Sequence, residues 1–474
     1  MASTKIEYAK GGSDFRTKGT ISCWVKRGSV GVQQDIWSWG ENNSSDCYLR
    51  FDTADNVEMH CDGAGGTFNT TQLYRDVNGW YHFVFSLDGS NSTANLRRRF
   101  WINGVQIDEG SGKNDVSAFS NAVLGWHSTQ DLWIGARARS QQSGDLEYFD
   151  GLISHFHYCS NYSYAASDFG SFDSTTGEWK INTAPNVQYG SEGFFLKMED
   201  SSNMDLDSSG NNKTLTTSGT LTKTEDCPSN VFCTMNPLNH DYASTNTDIG
   251  AGNTFVYPRA NDNYNYAVST LGMPKGNGKF YAEVKYVTYD NVTAGVGIVD
   301  MEYVSEIFYQ NRNLPEQTAS TYIGRVIYLK NGYSIVPSTE NNSYGSSYAN
   351  GDIIQIACDM ENGAIYFGKN GTWQNSGDPT SGASKTGAID ISSQSWYTGS
   401  THWGFWCGDK ASNHDRFAWN FGNGTFASQS GSFGSQSYSA TAVSSAGTNA
   451  SNNGVFEYNV PTGYTALSTK GLNK

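Results

Sequence analysis

From Thr20 the chain alternates apolar and polar positions. "TISCWVKRG" sets Ile21, Cys23 and Val25 on one side and Ser22, Trp24 and Lys26 on the other. A period of two is the signature of a strand with one buried face. "WYHFVFSLDG" repeats it, with Tyr81, Phe83, Phe85 and Leu87 facing inward. "RRRFWINGVQID" reads as a hairpin, because Asn103-Gly104 supplies the positive φ values that a two-residue turn needs. "DLWIGARA" and "YFDGLISHFHYCS" predict two more strands, and no amphipathic helix is expected before Gly190. After Ser201 the run "SSNMDLDSSGNNKTLTTSGTLTKTEDCPSN" is polar and holds few large apolar groups. It predicts a connector over 201–240 that takes its order from its neighbours. From Lys279 strands resume in "GKFYAEVKYV", "AGVGIVD", "YIGRVIYLKNGYSI", "GDIIQIACDMENGAIYFGKNGTW", "HWGFWCGD" and "FAWNFGNG", with turns at Asn331-Gly332, Asn362-Gly363 and Asn370-Gly371. Short strands spaced by turn signals predict sandwiches. The fold class is therefore all-β, with one sandwich over 1–200 and a second over 241–474, and no internal repeat relates them.

Composition narrows the function. The 474 residues include 52 Gly and only 9 Pro, 14% are aromatic and 16% charged, and the net charge is −15. Apart from Arg97–Arg99 there is no basic run, so a nucleic-acid partner is not expected. No stretch is apolar enough to span a bilayer, and "MASTKIEYAKGG" lacks the apolar core of a secretory signal, so a cytosolic origin is expected without membrane insertion. The eight cysteines form no CxxC pair and are read as buried thiols. Cys227 and Cys233 could close a short loop, against which a reducing cytosol argues.

The first half resembles a concanavalin A-like, laminin-G-type jelly roll through "ISCWVKRG", "QLYRDVNGWYHFVFSLD", "RFWINGVQID", "LWIGARA" and "YFDGLISHFHY". The second half resembles a SPRY domain through "GKFYAEVKY", "VGIVD", "NGDIIQIACDMENGAIYFGKNGTW" and "WNFG". The join "GFFLKMEDSSNMDLDSSGNNKTLTTSGTLTKTEDCPSNVFCTMNPL" and the closing "FEYNVPTGYTALSTKGLN" are similar to segments of bacteriophage virion proteins of the tail-fibre or appendage type. That resemblance implies a non-enzymatic virion surface protein, assembled in the host cytoplasm, that contributes to recognition of a host-surface glycan or protein. It also implies other virion proteins as partners and a homo-oligomer, a trimer before other states. The alternatives are a purely architectural capsid-decoration or tail-connector subunit, and a polysaccharide hydrolase.

The candidate chemistry is sparse. "DLDSSGNN" begins like a calcium loop with Asp205, Asp207, Ser209 and Gly210, but its twelfth position is Thr216, which cannot supply the bidentate carboxylate. It is read as a turn. His155 and His157 are two apart, with His127 as the one nearby third ligand for zinc; outward-facing strand histidines are the plainer reading. No cofactor and no metal are expected. A glycosidase needs two carboxylates flanking the sugar bond. Of Asp145, Glu147 and Asp150 the last has the wrong parity, and no Ser-His-Asp order stands out. Binding is the better fit, because sugar faces stack on aromatic rings while polar groups take the hydroxyls. Three mixed aromatic and polar stretches are the candidate sites: Trp39, Asn43 and Asp46; Trp126, His127 and Asp131; and Trp396, Tyr397 and His402. The bland alternative at each is an aromatic plug closing the end of a core.

Overall fold

The computed structural model describes residues 4–9, 18–40, 46–61, 66–93, 96–107, 131–137, 147–240, 247–258, 265–287, 294–302, 324–337, 339–341, 343–409, 415–430 and 437–473. These divide into two compact units, Met1–Lys223 and Thr224–Lys474, each a β-sandwich.

In the first unit the strands are β1 (Lys5–Tyr8), β2 (Lys18–Arg27), β3 (Gln34–Gly40), β4 (Asp46–Phe51), β5 (Asn56–Cys61), β6 (Gly66–Leu73), β7 (Tyr81–Asp88), β8 (Arg98–Ile102), β9 (Val105–Gln106), β10 (Leu132–Ile134), β11 (Gly151–Ser160), β12 (Gly170–Phe172), β13 (Trp179–Ile181), β14 (Phe194–Leu196) and β15 (Thr216–Ser218). One sheet runs β15-β1-β10-β3-β4-β5-β6 and the facing one β14-β11-β2-β7-β8-β9. Alternation fixes the register: a slip of one residue would turn every inward side chain out. Ile21, Cys23 and Val25 of β2 and Tyr81, Phe83, Phe85 and Leu87 of β7 meet Trp37, Trp39, Leu49 and Met59 of the other sheet in one core. Asn103 and Gly104 both take positive φ (48° and 78°), the hairpin turn expected between β8 and β9.

Two expectations are corrected. Cys47 and Cys61 are not free thiols: they sit directly opposite on β4 and β5, Cα atoms 4.0 Å apart, and are joined by a disulfide. Neither Cys227 nor Cys233 takes part in a disulfide. The expected connector over 201–240 is shared between the units. Its first part belongs to the jelly roll, where β15 pairs with β1. Asp207 is buried, and its carboxylate accepts the backbone N–H groups of Phe195 (3.0 Å), Ser209 (2.8 Å) and Lys213 (2.9 Å). The Asn211 amide donates to the carbonyls of Gly190 and Gly193. "DLDSSGNN" is thus a pinned turn whose buried carboxylate faces amides.

In the second unit one sheet orders Met235–His240, Asn265–Ser269, His402–Asp409, Gly295–Asp300, Arg325–Leu329, Ser334–Val336 and Thr339–Asn341. The other orders Thr247–Gly250, Phe255–Pro258, Arg416–Asn420, Lys279–Val287, Ile353–Asp359, Ala364–Lys369 and Thr372–Trp373. Ile354, Ile356 and Cys358 point into the core between them with Phe405, Cys407 and Trp419. Asn370-Gly371 forms a turn with both φ positive (48° and 86°), whereas at Asn331-Gly332 and Asn362-Gly363 the glycine alone does.

Candidate functional site

The residues singled out in the sequence do not converge. Trp39 is fully buried in the first core, edge-on to Tyr158 at 5.1 Å, and cannot meet a ligand. Tyr397 is 4% exposed and donates its hydroxyl to the carbonyl of Met360 (3.1 Å). Trp396 is half-buried against Trp403. The motifs of Trp39 and Trp396 therefore serve the cores, as their large apolar area dictates. His402 is exposed, its Nδ1 2.9 Å from the Thr401 hydroxyl, and Asp131 is half-buried at the start of β10. Asn43, Trp126 and His127 lie outside the described residues, as does the side chain of Asp46.

His155 and His157 are engaged within the protein, and His127 lies outside the described residues. A bulge at His155 (φ 47°) breaks the register of β11. His155 bonds Ser154 (2.7 Å), while His157 stacks on Phe195 at 3.9 Å and contacts the Tyr189 hydroxyl (3.0 Å). Among the described residues no group of three His, Cys, Asp or Glu could hold an ion.

An aromatic site does form, on the outer face of the six-stranded sheet. That face is apolar enough to need a cover: Val84, Trp101 and Cys159 pack under Ala166, Phe169 and Val187 as a second small core. The cover is a 3-10 turn, Ala166–Asp168, followed by the hairpin β12–β13. Asp173 caps the hairpin turn by accepting the N–H groups of Thr175 (2.9 Å) and Thr176 (2.8 Å), and Gly177 takes φ 74°. The register pairs Phe172 with Trp179, and their rings meet edge to face at 4.8 Å. Gly104 lies so close beneath that an added Cβ would stand 2.3 Å from the Trp179 ring.

Trp179 is held edge to edge by His82, which is itself stacked on Trp24. Its ring is 5.9 Å from His82, which lies 4.6 Å over Trp24. The indole N–H donates to His82 Nδ1 (3.0 Å). An indole can only donate, so Nδ1 carries no proton and Nε2 donates to the Ser22 hydroxyl at 2.8 Å. Burial pushes the imidazole down to about 3, so it stays neutral and the geometry holds.

Between the hairpin, the 3-10 turn and the sheet a groove of about 330 Å³ opens. Trp101 forms its floor, Phe172 and Trp179 one wall, and Ser167 and Ser171 supply hydroxyls among Gly and Ala. Phe172 is 52% exposed, so its ring is open to a ligand. These residues were missed in the sequence because the alternation there is too short to register. The pattern Gly-Ser-Phe, Asp-capped turn, Trp-Lys-Ile was the available signal.

The neutral His82 gives a pH prediction. Its folded value lies below the unfolded 6.5, so its stabilisation is present above pH 6.5 and is lost as pH falls toward 3. His155 and His157 act in the same direction, and the burial-raised carboxyls of Asp35 and Asp150 act oppositely. The clean measurement is therefore a difference. We expect the unfolding free energy of the first unit to fall less steeply with acid in His82→Gln, by about 1.4 kcal/mol per pH unit between pH 6 and 4. Parallel profiles for the two proteins would refute the assignment.

Residues 4–168 match the family model described as the concanavalin A-like lectin/glucanases superfamily. Comparison with curated proteins finds no match. Among solved structures the chain is similar to the SPRY domain of human HERC1, at 14% identity over 39% of this chain and 96% of that one, TM-score 0.27. It is also similar to a putative carbohydrate binding protein from Bacteroides ovatus, at 16% identity over 48% of this chain and 59% of that one, TM-score 0.31. A third is the CBM40 of a Ruminococcus gnavus sialidase bound to α2,3-sialyllactose, at 17% identity over 33% and 80%, TM-score 0.25. The match lies within the first unit and fits its two facing sheets.

Proposed function

We propose that the chain is a non-enzymatic recognition protein of a bacteriophage virion surface, and that its first unit binds a glycan on the host cell. The observation that carries the binding part is the edge-to-face pair of exposed Phe172 and half-buried Trp179 lining a groove. Aromatic faces take up the apolar face of a sugar, and serine hydroxyls and backbone groups take its rim. No carboxylate stands among the groove's lining residues, whereas hydrolysis of a glycosidic bond needs two. The match of residues 4–168 to a superfamily described by both lectins and glucanases supports the sugar-binding part of this reading. The virion part rests on the sequence resemblance to tail-fibre and appendage proteins. In an assembly of several copies a weak site suffices, since linked sites multiply affinity.

The test is a glycan array and whole-cell binding with the full chain and with Phe172→Ala. Phe172 is half-exposed, so the variant folds, and we expect binding to weaken about tenfold, the size of one lost stacking contact. Unchanged binding, or release of reducing ends from host polysaccharide by the wild type, would overturn the reading. For the virion part, antibodies to the chain should decorate intact particles, and naked particles would remove it.

A further inference from the structure

We infer that the groove beside Phe172 takes the apolar face of a neutral pyranose and discriminates against acidic sugars; this rests on the glycan-binding reading above.

The first ground is charge. Every side chain lining the groove is Trp, Phe, Ser, Gly or Ala. The charged groups next to it in sequence already have partners. Asp168 accepts the N–H of Ala165 (2.8 Å), Lys180 is paired with Asp173 (2.8 Å), and Arg99 lies over the Trp101 ring, 5.0 Å from its centroid, and donates to the Ser163 hydroxyl (3.1 Å). A sugar carboxylate placed here would have to draw Arg99 away from Trp101 and Ser163, so the water it loses is poorly compensated. The chain's net charge of −15 adds long-range repulsion of anions.

The second ground is the donor inventory. The Trp179 indole N–H is already spent on His82, so this ring offers the ligand a face and no hydrogen bond. What remains are the Trp101 indole N–H and the Ser167 and Ser171 hydroxyls, and the hydroxyls both donate and accept, as a sugar's own do. The third is shape. Trp179 is fixed in plane by its hydrogen bond to His82, which is stacked on Trp24, and Phe172 stands at 66° to it. The pair forms a corner with one flat wall for a ring face and one edge for its rim. A volume of 330 Å³ is at the small end of ligand sites, with room for on the order of one or two rings.

His82 is by this account a positioning residue, acting through Trp179 without touching the sugar. Assigned NMR spectra of the full chain would follow the Trp179 indole and Phe172 ring signals. The titrants are cellobiose, maltose, lactose and diacetylchitobiose on one side, sialyllactose and digalacturonate on the other, at low and high salt. The expected result is that at least one neutral disaccharide shifts both signals, with affinity changed less than about twofold by salt and lowered about tenfold in Phe172→Ala. In His82→Phe, which keeps the stack but removes the acceptor, the indole signal moves in the free protein and neutral binding weakens. Preferential binding of the acidic sugars, or affinity that collapses with salt, overturns the neutral assignment while leaving glycan recognition standing. If neither class shifts the groove signals, the neutral assignment falls, and cell binding by Phe172→Ala then decides the recognition reading separately.

Discussion

Asp55→Asn should cost the first unit about 3–5 kcal/mol, the usual penalty for breaking a buried ion pair from one side. Asp55 sits in a turn at φ 70°, a conformation that Asn accepts as readily as Asp, so the substitution tests charge and not backbone. Its carboxylate is 2.8 Å from Arg75 and 3.0 Å from Arg27, and it accepts the N–H of Gly31 (2.6 Å). Burial alone would raise this carboxyl; the Gly31 amide and the two guanidiniums outweigh it and hold it below the usual range. Arg27 is the reason the loss is large. Its guanidinium is fully buried, lies 4.2 Å over the Phe51 ring, and donates to the carbonyls of Tyr74 and Ser29. Without Asp55 it keeps those carbonyls but has lost its anion in a low-dielectric site. Denaturant unfolding followed by the two units' separate transitions checks this. The first midpoint falls and the second stays; a first-unit loss under about 1 kcal/mol would mean that solvent screens the pair.

Much of this fold was legible before any coordinate. Ile21, Cys23 and Val25, and Tyr81 through Leu87, declared their inward faces by parity alone, because half-buried strands allow no other register. Asn103-Gly104 and Asn370-Gly371 declared their turns because few residues tolerate two consecutive positive φ values. The site was not legible, for a related reason. Parity reports only which side of a strand a residue takes, and the outer face of the six-stranded sheet is itself covered. Trp24 was read as outward, and it is outward, yet it is 4% exposed beneath the His82–Trp179 pair. Conversely, Trp39 and Tyr397 looked like loop aromatics because polar residues flank them, while burial of a large ring decides their place. Cys47 and Cys61 are 14 residues apart, and only the pairing of β4 with β5 brings them together.

The binding reading and the stability of the first unit meet at one residue. His82 anchors Trp179 through Nδ1, Ser22 through Nε2, and the β8–β9 turn through the bond from its backbone N–H to Asn103 Oδ1 (2.7 Å). A wall built this way is rigid before the ligand arrives, which lowers the entropy lost on binding. Folded His82 protonates only near pH 3, so acid should cost folding stability from pH 6.5 downward before it removes the acceptor for Trp179 and weakens sugar binding.

In the second unit the largest single-residue effect should come from Glu283→Gln. Glu283 is fully buried on the strand Lys279–Val287. Its Oε2 accepts the N–H of Glu457 (2.8 Å) and the Asn420 amide (3.4 Å), and its Oε1 accepts the N–H of Tyr458 (2.8 Å) and the Tyr281 hydroxyl (2.9 Å). Two of these donors belong to the segment that lays Phe456, Val460 and Tyr464 over the outer face of this sheet. A glutamine has one acceptor oxygen and must point its amide at a backbone N–H. With two charge-assisted bonds lost or weakened, we expect about 3 kcal/mol less stability and a Tm lower by roughly 6–12 °C. The pH dependence follows from burial, which raises the Glu283 carboxyl to about 7 against donors that favour its charged form. A raised acid contributes stability that is complete below its unfolded value of 4.5 and is lost as pH rises through 7. When Glu283 is protonated, the Tyr281 hydroxyl rotates to accept the proton, which an immobile amide could not do. The gap between wild type and variant should therefore widen on going from pH 8 to pH 5. A gap that narrows with acid would show that Glu283 is held as a carboxylate throughout, with its four donors outweighing its burial.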